Sequence, residues 1–319
     1  MFCMPAFPLY YHSLYSGGLD RTARFPVDRY CLLAQRLEKL DDSGQITIKV
    51  PRLATREEVL LVHEEAYVDR FLSGDLSEKE IRRIGLRPWK KEIIPRTLRL
   101  VGGALDGLED LFNGSLLAGN MAGGTHHALR GEGAGYCIFN DLAICAEVAL
   151  NRPCVNRILV LDLDVHQGDG TAEIFSGDDR VFTVSLHGRN NFPFRKKKSD
   201  LDLGFEDGTK DEAYLSVLSQ VLEKLSGENF DLVFFQAGVD GLKSDQLGLL
   251  DLSRDGLRRR NEQVFAWRKK FDLPLLIFMG GGYANPIDDT VDAFGDLFLA
   301  AAGECESAPS SWKSSFFSG

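Results

Sequence analysis

No Cys-x-x-Cys spacing occurs in this 319-residue chain, and its six cysteines (Cys3, Cys31, Cys137, Cys145, Cys154, Cys305) form no disulfide framework. A chain this long buries enough apolar surface to fold without such staples, so reduced, mostly buried thiols are expected. Long hydrophobic runs are also missing. The longest, near 158–163 and 271–279, fall far short of a bilayer's thickness. Met1-Phe2-Cys3-Met4-Pro5 shows no basic stretch leading into a long apolar one, so no secretory signal is expected. These absences predict a soluble, cytoplasmic protein. Positive charge is in deficit, with 37 Lys+Arg against 47 Asp+Glu and a net charge of −10. That disfavours direct nucleic-acid or anionic-membrane binding and suits a cationic partner such as a lysine-rich peptide or a polyamine. No Pro/Gly/Ser linker interrupts residues 1–302, which predicts a single domain. A tail is expected over 303–319, where Ser307-Ala308-Pro309-Ser310-Ser311 is of low complexity.

What is present is alternation. Apolar runs of strand length cover Leu9–His12, Leu116–Ala118, Ile158–Leu163, Val181–Leu186, Leu232–Gln236 and Leu275–Met279. Segments with helical spacing separate them: Val27–Lys39, Arg56–Leu72, Thr97–Phe112, Leu142–Leu150, Glu212–Leu225 and Ser253–Phe271. That order predicts an open α/β sheet, mostly parallel. The runs are continuously apolar, as strands covered by helices on both faces require. Polar residues follow the strands: His126-His127, then Asp164 and His166, His187, Asp240, and finally Gly280-Gly281-Gly282-Tyr283. Open sheets of this kind bind ligands at the carboxyl edge of their strands.

The densest polar segment is Asp162-Leu163-Asp164-Val165-His166-Gln167-Gly168-Asp169-Gly170-Thr171. Asp-x-Asp-x-His on an extended segment places carboxylate, carboxylate and imidazole on one face. Buried chain seldom carries that combination without a cation. Asp164 and His166, joined by Asp240 from another strand, give three ligands with open positions, the pattern of a catalytic zinc site. The oxygen-rich set also suits ferrous iron. The bland alternative has Asp164 capping a helix near Gly168 and Asp240 capping a turn; it accounts for each residue alone but not for the pair. His126 and His127, behind Gly123-Gly124, are then free for acid–base work near neutrality, with Asp162 and Asp169 available to orient them. Tyr283 is a candidate hydrogen-bond donor to an oxyanion. No phosphate-binding signature accompanies its glycine run. His63, His187 and Cys137 read as structural, and Arg195–Lys198 and Arg258–Arg260 as solvated charge.

The segments GGTHHA (123–128), GYCIFND (135–141), DLDVHQGDGT (162–171), VSLH (184–187), AGVD (237–240) and GGGY (280–283) span about half the chain. Together they resemble the zinc-dependent histone deacetylase family, including its acetoin-utilisation and amidohydrolase members. RRIG (82–85), SDQLGLLDLS (244–253) and FPVDRY (25–30) are most similar to the class IV branch and its bacterial relatives. The resemblance implies about eight parallel strands and hydrolysis of the acyl amide of an Nε-acyl-lysine in a protein or peptide. A small acylated amine, such as an acetylated polyamine, is the alternative substrate. A module that binds acyl-lysine without cleaving it is disfavoured, because every ligand and the tyrosine are kept. The resemblance further implies Zn2+ (or Fe2+) on Asp164, His166 and Asp240, and proton transfer by the pairs His127–Asp169 and His126–Asp162. It implies carbonyl polarisation by Tyr283 and substrate contacts from Gly135, Tyr136, Phe192 and Gly282. A potassium site is implied from Asp162, Asp164, His166, Ser185 and Leu186. Thr125 and Asn191 replace aromatics common in the family, and no rim aspartate matches; these departures bear on peptide specificity, not on the chemistry.

Overall fold

In a computed structural model, which describes residues 6–19, 23–41 and 44–305, eight strands are present. They are β1 (Phe7–Tyr10), β2 (Ile46–Lys49), β3 (Leu117–Asn120), β4 (Ile158–Asp162), β5 (Val181–Gly188), β6 (Leu201–Phe205), β7 (Leu232–Gln236) and β8 (Leu275–Phe278). They form one sheet in the order β2-β1-β3-β8-β7-β4-β5-β6, and every neighbouring pair is parallel. The helices are α1 (Arg29–Leu40), α2 (Arg56–Leu60), α3 (Glu65–Ser73), α4 (Glu78–Ile84), α5 (Ile93–Phe112), α6 (Asp141–Leu150), α7 (Asp169–Ile174), α8 (Asp211–Leu225), α9 (Arg254–Lys270) and α10 (Ile287–Gly303). Two neighbours in β3 show that helices cover both faces. A Cβ on Gly119 would meet Phe298 of α10, whereas Ala118 lies against Gly107 of α5, and consecutive strand residues point to opposite faces.

Burial explains which elements the run-length criterion finds. β4, β7 and β8 are buried at every position and read as continuous apolar runs. The edge strands β2 and β6 are mostly half-buried or exposed, with a charged or polar residue at alternate places, and they escaped it. Two helices were also unforeseen. α4 is a seven-residue turn of chain between a capping box at Ser77 and left-handed Gly85. α10 carries Val291, Phe294, Phe298 and Ala301 on a buried face, with Asp288 and Asp289 favourably in its first turn. Gly303 closes α10 and Cys305 is buried; the remainder of the expected tail lies outside the described residues. No helix among the described residues is long and apolar enough to cross a membrane.

The single helix expected over Arg56–Leu72 is two helices, and His63 sits at the break. Its Nδ1–H donates to the carbonyls of Leu129 (2.9 Å) and Arg130 (3.2 Å), and Nε2 accepts the Asn140 amide (2.9 Å). Burial pushes this imidazole down from 6.5 to about 4. The unfolded chain therefore takes up a proton as pH falls below about 6.5 while the folded ring stays neutral, and stability drops until the folded ring itself titrates. The loss from this one group reaches about 2 kcal/mol at pH 4.5. Denaturation curves of the wild type and His63→Gln between pH 7 and 4.5 check this. The variant should lose less stability on acidification by that amount, and parallel curves would clear His63.

Candidate active site

The carboxyl ends of five adjacent strands, β3, β8, β7, β4 and β5, carry the candidate residues. Past Asp162 the chain bends. The Asp164 amide donates to Asp162 Oδ1 (3.1 Å), the Val165 amide to Asp240 Oδ1 (2.9 Å) and the His166 amide to Asp164 Oδ1 (3.0 Å). Strand alternation is therefore not what joins Asp164 to His166, since β4 has ended; bends held by carboxylate–amide bonds do so. Asp162 does not point into the same cluster but pairs with His126. His166 Nδ1 lies 3.1 Å from Asp164 Oδ1 and 3.0 Å from Asp240 Oδ2. One donor atom from each of Asp164, His166 and Asp240 lies within 4.8 Å of the others, and all three residues are buried.

This donor set fits a divalent cation. Burial and then the charge of Asp164 push Asp240 up to about 7. Burial also opposes the charge of Asp164, yet His126 and His166 hold it well below its ordinary value. Two buried carboxylates in mutual repulsion need positive charge between them, and mixed oxygen and imidazole donors suit Zn2+ or Fe2+. The neighbouring glycines leave room for these carboxylates. The Gly281 amide donates to Asp164 Oδ2 (2.7 Å), and a Cβ on Gly281 would collide with Asp240.

The histidine pair stands beside this cluster. His126 Nδ1 lies 2.7 Å from Asp162 Oδ2, and His127 Nδ1 2.6 Å from Asp169 Oδ1. Their Nε2 atoms are 3.2 Å apart. Burial disfavours charge on both rings. Asp162 and Asp164 overcome it at His126, raised to about 9, whereas burial and the His126 charge push His127 down to about 4. The pair thus holds one charge, not two. Tyr283 borders both a cavity of about 50 Å³ that His126, His127, Asp164 and His166 also line and a larger mouth of about 1010 Å³. Burial pushes its phenol well above 10, so the hydroxyl keeps its proton. Tyr136 and Phe192 wall the mouth, with Phe192 edge-on to His127 at 4.9 Å. Gly135 (φ 53°) and Tyr136 (φ 67°) are both left-handed. For tyrosine that conformation costs about 1–3 kcal/mol, and it presents the ring to the opening.

Other residues support these from behind, and sequence reasoning missed them. Asp141 accepts the Gly124 (2.9 Å) and Thr125 (2.7 Å) amides, fixing the histidine loop. Arg29 donates to the carbonyls of Gly280 (3.1 Å) and Gly282 (3.0 Å). The Gly282 carbonyl is thereby engaged with Arg29, and Gly282 borders neither the mouth nor the smaller cavity. Arg260 corrects the reading of 258–260 as solvated charge. Arg258 and Arg259 form surface ion pairs, but the helical period turns Arg260 inward, where it donates to Gly238 O (2.6 Å) and Ala237 O (3.1 Å). Fully buried arginine is rarely anticipated from sequence, since its partners here are backbone carbonyls with no signature of their own. Ser185 is the register partner of Asp162, Leu186 is fully buried, and the Ser185 hydroxyl lies 3.0 Å from His187 Nδ1. Cys137 is buried, as a packing residue would be.

Residues 24–294 match the family model described as the histone deacetylase domain. The chain belongs to the histone deacetylase family. Among its relatives, an uncharacterized protein of Picosynechococcus is 44% identical over 297 residues, covering 92% of this chain and 98% of that one. Histone deacetylase 2 of Arabidopsis thaliana is 30% identical over 289 residues, covering 86% and 74%. The acetoin utilization protein AcuC of Staphylococcus xylosus is 30% identical over 297 residues, covering 86% and 77%. These family relatives align along most of the chain, across the strands that carry the site.

Proposed function

We propose that this chain is a deacetylase-type hydrolase that cleaves the acyl amide of an Nε-acyl-lysine in a protein or peptide. The observation that carries the reading is the convergence of Asp164, His166 and Asp240 beside two histidines, each backed by its own aspartate. Family membership and relatives named as deacetylases support it. Asp164, His166 and Asp240 would hold Zn2+, or Fe2+ in its place. Bound there, the ion supplies Lewis acidity toward the acyl carbonyl and lowers the pKa of water. His127, held neutral with Nδ1–H on Asp169, takes a proton from the attacking water at Nε2. Tyr283 donates its hydroxyl to the developing oxyanion. A protonated histidine of the pair then donates to the departing amine. The Gly135 carbonyl orients the scissile amide, and Tyr136 and Phe192 grip the lysine stem and exclude water.

Asp162 and Ser185, with the carbonyls of Asp164, His166 and Leu186, would hold a structural potassium ion. On this reading residues 1–302 form the catalytic unit, and RRIG (82–85), SDQLGLLDLS (244–253) and FPVDRY (25–30) favour class IV and its bacterial relatives as the subgroup. Five free cysteines among the described residues fit a reducing cytoplasm. A panel of acyl-lysine peptides from acetyl to myristoyl, with acetyl-spermidine alongside, tests the reading with and without chelator. Turnover should require metal and return with Zn2+ or Fe2+. Preference for acetyl-spermidine would shift the assignment to small amines, and turnover indifferent to complete metal removal would overturn it.

A further inference from the structure

The mouth of the site carries charge opposite to that of the molecule. Overall the chain is at −10. Yet Arg82, Arg83, Arg87, Lys90 and Lys91 fall within ten residues free of acid, and Arg195–Lys198 is wholly basic. The fold brings representatives of both runs to the same opening, which Arg83, Arg195, Lys197 and Arg24 all border. A groove of about 700 Å³ adjoins it, bordered by Arg24, Arg87, Trp89 and Glu78. Arg83 is neutralised by Glu132 (2.6 Å) and Lys197 by Glu173, while Asp169 is engaged with His127. Arg24, Arg87 and Arg195 form no ion pair among the described residues, and of the carboxylates bordering the two openings Glu78 alone is not engaged in a salt bridge among them. Lys196 fastens the turn before it, donating to the Pro193 carbonyl (2.7 Å), so that Phe194, 88% exposed, and Arg195 project beside the Phe192 wall.

We infer that the preferred substrate is an acyl-lysine flanked on both sides by aspartate or glutamate, read by Arg24, Arg87 and Arg195. The inference rests on the deacylase reading above. It also reverses the expectation from net charge, because a lysine-rich tail or a polyamine would meet unpaired guanidiniums at the entrance. In an extended peptide about 3.3 Å per residue separates neighbours, so an acid three positions from the acyl-lysine lies about 10 Å along the chain from it.

Binding separates this proposal from turnover. Fluorescence anisotropy of labelled acetyl-lysine peptides with acidic, neutral or basic flanks is measured on the full chain and on the Arg24→Glu/Arg195→Glu variant. Acidic flanks should bind about 5–20-fold tighter than basic ones at low salt, as a few exposed ion pairs allow. The gap should shrink as salt screens it, and the order should invert in the variant. The variant's kcat on a neutral peptide should stay unchanged. Equal affinities across the three flanks would overturn the inference, as would stronger competition by a single-stranded oligonucleotide than by an acidic peptide. If the charge ranking holds and no peptide is hydrolysed, the deacylase reading fails and the charge-selective mouth stands.

Discussion

Asp240→Asn should lose its metal and its turnover while the metal-free protein keeps, or gains, stability. Replacing outer hydrogen-bond partners of ligands already costs 10–100-fold in metal affinity, so removing a direct ligand charge should cost more than about 100-fold. The stability arm follows from the same geometry. In the wild type Asp164 and Asp240 are two buried carboxylates sharing one imidazole between them. An asparagine retains the oxygen that accepts the Val165 amide and removes one of the two charges, and with it their mutual repulsion. Metal content by elemental analysis, turnover, and the Tm of the chelated forms are the measurements. Full metal content in the variant would remove Asp240 from the cage. A marked drop in Tm of the metal-free variant would recast it as a structural residue.

Tyr283→Phe should lower kcat by about 10²–10³, equivalent to roughly 3–4 kcal/mol, with KM changed only a few-fold and metal content intact. The substitution is conservative for everything but the hydroxyl. The ring sits 5.9 Å from Tyr136 and 6.3 Å from Phe25, with the Arg29 guanidinium 5.5 Å from its centroid. The position itself is fixed by the main chain, whose amide donates to Asp245 (2.6 Å). Those contacts survive in phenylalanine, so a large fall in kcat isolates the lost O–H. Near-wild-type turnover would remove Tyr283 from the chemistry.

The central sheet and the clustered residues were legible because physics writes them redundantly. β8 is apolar throughout, and β4 and β7 are apolar up to their last residues, Asp162 and Gln236, as burial under helices on both faces demands; each leads to its polar residues at the same edge. The supporting residues were not legible. Arg29, Arg260 and Asp141 bind main-chain groups, and main chain is invisible in a sequence. The right residues were also reached through an incomplete reason: Asp164 and His166 meet through bends, and Asp162 belongs to His126. His63 shows the converse failure, in which a helical spacing is overruled by partners 66 to 77 positions away.

Asp164 and His166 precede Asp240 by some 75 positions, and β5 and β6 lie in the chain between β4 and its sheet neighbour β7. The ion cage therefore closes through a non-local parallel pairing, the kind of contact that is slow to form. A nascent chain still emerging from the ribosome presents no complete chelating set, and premature capture of a wrong cation is limited by topology itself.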